Sequence, residues 1–127
     1  METTTYITVP FQREGLHYYP GADTNPDTAT ADWDDVSFLA NKHFHYFFFK
    51  VSLQVSHDNR ELEFIQTSRW LQRLYDKKTL NLDNKSCEMM AQDLLRAIRN
   101  EEKYQNRKII IEIYEDNING SRLEFIP

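Results

Sequence analysis

The segment from residue 43 to residue 55 restricts the fold of this chain more than any other part of the sequence. Its side chains alternate, and a period of two places successive residues on opposite faces of a β-strand. The odd-numbered set is apolar after two histidines, whereas the even-numbered set becomes polar towards its far end. The members are His43, His45, Phe47, Phe49, Val51, Leu53 and Val55 on one face, and Phe44, Tyr46, Phe48, Lys50, Ser52 and Gln54 on the other. The pattern predicts a long strand in a sheet with one buried and one partly exposed face.

Shorter patterns predict three more strands and two helices. Ser86 is the expected N-cap of the second helix, and Asn119-Gly120 is the expected turn of a terminal hairpin. The expected strands are residues 3–9, with a possible extension towards residue 19, and residues 43–55, 108–114 and 122–126; the expected helices are about residues 67–77 and 86–102. The order ββααββ predicts an α+β fold, in which a four-stranded antiparallel sheet carries two helices on one face.

The composition favours a single domain and excludes several classes of protein. The chain of 127 residues is expected to form one domain (1–127), with a polar loop at about residues 22–35. Twenty acidic residues against fifteen basic ones give a formal charge of −5, so a nucleic acid is not an expected partner. Only three glycines are present, and they form no phosphate-binding loop. The single cysteine, Cys87, excludes an internal disulfide.

The apolar runs are too short to predict membrane insertion. The longest run, at residues 46–49, is far below the roughly 20 residues that span a bilayer. No charged-then-apolar signal segment is recognised at the N-terminus. A cytoplasmic location is therefore expected, and a membrane is not an expected partner.

Three of the four histidines form the most specific chemical pattern. His43 and His45 lie two residues apart on the long strand, so their side chains point to the same side and can share one ion. His17, near the end of the preceding strand, is the best candidate for a third ligand, which leaves one zinc position open to water or substrate. The alternative is that His43 and His45 are strand-end histidines without an ion. His57 follows the strand in a polar turn and is interpreted as a solvated side chain.

Two carboxylates and one thiol are further candidates. Glu112 and Glu115 are three residues apart on a strand and therefore face opposite sides. One of them can point into a pocket and accept two parallel hydrogen bonds from the amidine-like edge of a heterocycle. The alternative is that both are strand-end acids that face water. Cys87 at a helix start can have a lowered pKa, although a lone cysteine beside Met89 and Met90 is more often part of a core.

Five short segments carry a family resemblance that covers nearly the whole chain. They are Gly15-Leu16-His17, His43-Phe44-His45-Tyr46, residues 74–81, residues 86–91 and residues 111–115. The first segment resembles the first zinc histidine of one family, and the second resembles its H-G-H-[NS]-[YF] strand start. Residues 74–81 resemble its L-D-H-x-x-L-N segment. Residues 86–91 resemble its P-T-[AS]-E-N-L-A helix start, and residues 111–115 resemble its V-x-V-x-E strand. The chain thus resembles the 6-pyruvoyl-tetrahydropterin synthases, which include the 6-carboxytetrahydropterin synthases of queuosine biosynthesis. The resemblance implies their tunnelling fold.

The resemblance also implies roles for individual residues. His17, His43 and His45 are then the ligands of a zinc cofactor, and Glu115 anchors a pterin-like heterocycle. Asp76 and Lys77 stand at the family's catalytic Asp-His positions, with Lys77 in place of the histidine. The family's catalytic cysteine, about four residues before H-x-H, is missing as well. Without these two groups no general base is evident, and Glu61 or Glu63 is left as an alternative base.

Three alternatives for the function follow. The first is a zinc-dependent lyase that acts on a dihydropterin triphosphate or a related heterocycle. The second is a catalytically inactive homologue that binds a ligand or serves in assembly. The third is an unrelated α+β domain without a metal. The family further implies a homo-oligomer, a hexamer of two stacked trimers, in which sheet edges join. The aromatic residues 44–49 are interpreted as part of the core and of a subunit interface rather than as a platform for stacked bases.

Overall fold

Residues 2–127, which a computed structural model describes, form five strands and two helices. The strands are β1 (Thr5–His17), β2 (His43–Val55), β3 (Thr79–Asp83), β4 (Ile109–Glu115) and β5 (Asn119–Phe125), and the helices are α1 (Phe64–Arg73) and α2 (Cys87–Asn100). Short 3-10 helices lie at Ser37–Ala40 and Glu102–Tyr104. The strands form one sheet in the order β3-β1-β2-β4-β5.

The prediction of an α+β fold is confirmed, but the prediction of a four-stranded, wholly antiparallel sheet is wrong. The fifth strand, β3, pairs in parallel with the end of β1, beginning with Thr79 opposite Glu14. The sequence pattern does not reveal this strand because it has only five residues, of which Leu80 and Leu82 are buried. The remaining neighbours are antiparallel, so the sheet is mixed.

β1 is longer than the predicted core of residues 3–9 because it continues through Pro10 to His17. Pro10 lacks the N–H that a strand donates to its neighbours, so proline is normally confined to unpaired strand edges. Here β3 joins β1 only from Glu14 onward, which leaves one side of Pro10 without a neighbouring strand. This extension carries His17 to the end of the sheet, opposite His43.

The hydrophobic core lies between the two helices and one face of the sheet. β2 has the predicted bounds, and its odd-numbered residues after the histidines are buried, whereas Phe44 and Tyr46 on the other face are nearly half exposed. Burial of large apolar side chains contributes roughly 1.5–3 kcal/mol each. The helices contribute Leu71 from α1 and Cys87, Met90, Ala91, Leu94, Leu95 and Ile98 from α2.

The helix boundaries depend on their caps. α1 begins at Phe64, earlier than the predicted residue 67, because the Glu63 carboxylate accepts the N–H groups of Ile65 and Gln66 at 2.7 and 3.1 Å. Such an acceptor satisfies donors that have no partner within the helix. The predicted cap of α2 is confirmed, since the Ser86 hydroxyl accepts the Met89 N–H at 3.2 Å.

The terminal hairpin turns earlier than predicted. Asp116 and Asn117 have φ values of 53° and 58°, and the Ile118 N–H donates to the carbonyl of the residue before the pair at 3.0 Å. Two successive residues with positive φ are typical of the tight turns that suit a twisted hairpin. Gly120 lies instead within β5, where an added Cβ would come within 2.0 Å of the carbonyl oxygen of Ile113. The glycine therefore permits a close approach between strands, and the turn brings Asp116 to the end of β2.

The predicted polar loop is built from successive turns between residues 20 and 35. Ala22 is fully buried at its start, whereas Trp33 is 91% exposed. Within the described residues, neither helix is long and apolar enough to cross a membrane.

Candidate metal centre

Three histidines meet at one end of the sheet, and we call His17, His43 and His45 the histidine cluster. His17 lies opposite His43 in the β1–β2 ladder, and His45 follows two residues later on the same face of β2. The ring centroids are 4.5 to 5.2 Å apart. One ligand atom from each ring lies within 4.8 Å of the other two. The structure therefore brings together the three residues that the sequence proposes as zinc ligands.

The Nδ1 atom of every ring in the cluster contacts an oxygen atom that only accepts hydrogen bonds. A carbonyl or carboxylate oxygen requires a proton on its partner, so Nδ1 of each ring carries the proton. The Nε2 atom of a neutral ring then presents a free lone pair, which is the form that binds a metal. The three contacts are His17 to the Lys85 carbonyl at 2.9 Å, His43 to the Asn41 carbonyl at 2.7 Å and His45 to the Asp116 carboxylate at 2.7 Å.

Two of these lone pairs are buried. Among residues 2–127 nothing donates a hydrogen bond to Nε2 of His17 or of His45. A buried polar atom without a partner costs about 1–3 kcal/mol, so a metal ion or an ordered water molecule bound to these nitrogens would stabilise the site. Burial is also the largest cause that lowers the pKa of His17 below its ordinary value of 6.5. The neutral, ligating form of this ring is therefore favoured at pH 7.

Glu115 is the acid that reaches the histidine cluster. Its carboxylate oxygens lie 3.4 Å from Nε2 of His17 and 3.2 Å from Nε2 of His45. Glu112 lies on the other side of β4, where it accepts the hydroxyl of Tyr114 at 2.6 Å. The prediction that the two acids face opposite sides is therefore confirmed, and Glu115 is the one beside the cluster.

Cys87 contacts the same carboxylate but is not an activated thiol. Its Sγ lies 3.9 Å from Oε1 of Glu115, and the residue is 5% exposed. Burial, followed by the negative charge of Glu115, raises the pKa of the Cys87 thiol to about 12. The alternative of a lowered pKa at the helix start is thus wrong, because loss of solvation outweighs the position at the N-terminus of α2.

A cavity of about 300 Å³ opens beside the cluster. This volume is at the lower end of the range for small-molecule sites, roughly 300–1,000 Å³. Its walls combine aromatic and aliphatic side chains with polar groups from the start of α2. The lining includes His17, Tyr19, His43, Leu39, Lys85 and Glu115.

The structure places the other proposed residues away from this cavity. Asp76 lines a separate groove on the exposed side of α1, together with Trp70, and Lys77 is exposed just beyond it. Neither residue lines the cavity beside the cluster. His57 lies in an exposed turn, with its Nε2 4.0 Å from Glu61. A single chain therefore does not bring the Asp76-Lys77 pair to the histidines.

Sequence reasoning missed Asp116, which fixes the orientation of one cluster ring. The residue follows Glu115 directly, but the Asn119-Gly120 pair predicts a turn that begins later in the sequence than the observed one. The signal that could reveal it is the Asp116-Asn117 pair, because Asp and Asn are the residues that adopt positive φ most readily after glycine. A turn at this pair places an acid next to the first residues of β2.

Neither the family models nor the curated proteins compared with this sequence include one that matches it.

Proposed function

We propose that this chain is a zinc-binding protein related to the pterin synthases, which holds the ion on His17, His43 and His45 and binds a heterocycle beside it. The observation that carries the proposal is the common orientation of the three rings. Each Nδ1 contacts an oxygen acceptor, so the three Nε2 lone pairs remain for a shared cation.

The ligand type favours zinc among the common divalent ions. Imidazole nitrogen suits Zn²⁺, whereas Mg²⁺ and Ca²⁺ prefer oxygen ligands. Catalytic zinc sites commonly use three protein ligands, and their Nδ1 atoms commonly donate to a carbonyl or a carboxylate. All three cluster rings follow this pattern, with two carbonyl oxygens and one carboxylate as acceptors.

The proposed ligand is a small, planar heterocycle of the pterin type. The cavity beside the cluster contains the Tyr19 ring and the Leu39 side chain for the flat faces of such a molecule, and it contains Glu115 for a polar edge. A carboxylate can accept two parallel hydrogen bonds from an amidine-like edge. Zinc bound to the cluster supplies a Lewis acid that polarises an oxygen atom of the ligand.

Two functions are compatible with this site, and one observation separates them. In the lyase alternative, the chain acts on a dihydropterin triphosphate, and Asp76 and Lys77 act as the catalytic pair. These two residues lie outside the cavity of their own chain, so catalysis requires that a neighbouring copy supplies them. In the second alternative the chain binds the heterocycle without converting it. The separation of Asp76 from the cluster favours this binding function for an isolated chain.

A homo-oligomer, by family analogy a hexamer, is part of the proposal. Phe44 and Tyr46 are 45% and 44% exposed on the sheet face that the helices do not cover. β5 has a partner strand on one side only. An exposed aromatic face and an open strand edge both favour association with further copies. Sedimentation equilibrium tests this point, and a mass equal to one chain of 15.2 kDa would contradict it.

The test of the proposed function combines metal content with ligand turnover. Purified protein is expected to contain about one zinc per chain, and His45→Ala is expected to lose most of it. His57→Ala is the matched control, because this histidine lies in an exposed turn outside the cluster. Equal zinc content in all three proteins would refute the metal site.

Turnover then separates the two functions. Conversion of a dihydropterin triphosphate by the wild-type oligomer supports the lyase, and a loss of conversion in Asp76→Asn identifies the catalytic pair. Saturable binding of the same compound without conversion supports the binding function. A chain that binds zinc but no pterin would contradict both.

A further inference from the structure

The Glu115 carboxylate occupies a position that its expected role as an anchor for a heterocycle does not explain. One oxygen lies 3.4 Å from Nε2 of His17 and the other lies 3.2 Å from Nε2 of His45. Neither contact forms a hydrogen bond, since both nitrogens lack a hydrogen-bond partner among the described residues. The carboxylate is therefore near the lone pairs of the rings without being bound to them.

The distances are close to those between two ligands of one tetrahedral zinc ion. Zn–N bonds of about 2.0–2.1 Å and Zn–O bonds of about 2.0–2.2 Å place nitrogen and oxygen ligands roughly 3.3–3.5 Å apart at a tetrahedral angle. The separation of 3.4 Å at His17 lies in this range, and the separation of 3.2 Å at His45 lies just below it. A direct N–H···O hydrogen bond is about 2.7–3.2 Å long, so the His17 contact is longer than one. The His45 contact is at the upper limit of that length but lacks hydrogen-bond geometry.

The fixed ring orientations give a second reason to place a cation here. Because Nδ1 of His17 and Nδ1 of His45 each face an acceptor oxygen, both Nε2 atoms present lone pairs towards Glu115. The carboxylate also presents lone pairs, so nitrogen and oxygen repel each other unless a proton or a metal ion lies between them. The contacts lack hydrogen-bond geometry, which argues against a proton as the link. A divalent cation bound to all of these atoms removes this repulsion.

The surroundings hold Glu115 in this position. It is the last residue of β4, opposite Phe47 of β2, and so lies on the face of the sheet that carries the cluster. The buried Cys87 thiol approaches Oε1 at 3.9 Å from the start of α2. The next residue, Asp116, binds the His45 ring and the backbone of Tyr46. The strand and the start of the helix thus position this side chain, and the turn positions the His45 ring beside it.

We infer that Glu115 would be the fourth ligand of a metal ion held by the histidine cluster. This inference rests on the proposed metal site and changes the role of Glu115 from anchor of the heterocycle to metal ligand. It also explains how one carboxylate can line both the cluster and the cavity.

Co²⁺ is the appropriate probe, because its visible absorption reports coordination number and ligand type. Wild-type protein is expected to bind one Co²⁺ per chain with a four-coordinate spectrum. Glu115→Gln is expected to change this spectrum and to weaken Co²⁺ and Zn²⁺ binding roughly tenfold or more, since loss of a supporting group alone costs 10–100-fold. Glu112→Gln is the matched control, because this acid lies on the opposite side of the same strand.

Several outcomes would overturn the inference. A Glu115→Gln protein with unchanged metal affinity and spectrum, but with lost pterin binding, would assign Glu115 to the heterocycle alone. A sulfur-to-cobalt charge-transfer band that disappears in Cys87→Ser would place the thiol in the fourth position instead. Wild-type protein that binds no Co²⁺ would overturn the proposed function together with this inference. Preserved far-ultraviolet circular dichroism shows that each variant is folded.

Discussion

Asp116 provides the sharpest test of how the protein prepares its metal site. Its Oδ2 lies 2.7 Å from Nδ1 of His45, and its Oδ1 accepts the N–H of Tyr46 at 3.0 Å. The carboxylate therefore keeps the proton of His45 on Nδ1 and leaves Nε2 free. In Asp116→Asn the side-chain shape remains, but the amide NH₂ must face either His45 Nδ1 or the Tyr46 N–H. In either orientation the amide NH₂ faces another N–H group, unless the proton of His45 moves from Nδ1 to Nε2.

The expected effect follows from the bond that is lost. A hydrogen bond to a charged group is worth about 1.5–3 kcal/mol, and each 1.4 kcal/mol corresponds to a tenfold change in affinity. The Asp116 side chain is 45% exposed, so solvent reduces the effect to the lower end of this range. We therefore expect Asp116→Asn to weaken zinc binding about tenfold, the lower limit for partners of ligating histidines.

Two variants separate the role of the carboxylate from the shape of the turn. Asp116→Gly removes the carboxylate but tolerates the φ of 53°, and water can then accept the Nδ1 proton. We expect it to bind zinc more tightly than Asp116→Asn does. Asn117→Gly alters the same turn at a φ of 58° and should bind zinc like the wild type.

The assay is competition for zinc with a chelator of known affinity, combined with ¹⁵N NMR of the imidazole nitrogens. The spectra of the metal-free protein should show the His45 proton on Nδ1 in the wild type and on Nε2 in Asp116→Asn. Zinc affinities of Asp116→Asn and wild type that agree within a factor of two, with an unchanged His45 tautomer, would show that Asp116 does not prepare the ring for the metal.

Three further predictions concern stability, each measured by urea denaturation. Hydrogen bonds from Ser56, and then from Arg107, lower the pKa of Glu61 from 4.5 to about 2. The ionised carboxylate therefore stabilises the fold above pH 4.5, and Glu61→Gln should be less stable than wild type at pH 7. This difference in stability should vanish as the pH falls towards 2. Ser86→Ala removes the N-cap of α2 and should lower the free energy of unfolding by about 1 kcal/mol, whereas an unchanged midpoint would show that the cap is dispensable. Gly120→Ala places a Cβ 2.0 Å from a carbonyl oxygen of β4 and should lower the free energy of unfolding by about 2 kcal/mol or more. It should also weaken zinc binding, because the hairpin carries Glu115 and Asp116. An unchanged free energy of unfolding would contradict this prediction.

The sequence predicts the elements whose signals are local and repeated. β2 is predicted with its bounds because its alternation persists over the whole strand, and Ser86 is predicted as a cap because capping depends on the residues immediately around it. β3 is different, since two leucines in five residues fit many structures. Only the extended end of β1 makes this segment a strand, and that contact is not visible in either segment alone.

The same distinction applies to the site. The three histidines are recognisable because two of them share a strand and the third lies across a strand pair. The carbonyl oxygens of Lys85 and Asn41 hold two of the rings, and any residue type provides such an oxygen. Their contribution therefore leaves no signal in the sequence. Asp116 does carry a signal, but it becomes useful only when the turn is placed correctly.

X-ray absorption at the zinc edge shows which atoms surround the ion. We expect one zinc per chain with a first shell of nitrogen and oxygen at about 2.0–2.1 Å and the multiple scattering of three imidazole rings. A spectrum without imidazole scattering, or a protein that takes up no zinc, would contradict the claim that His17, His43 and His45 meet around one cation.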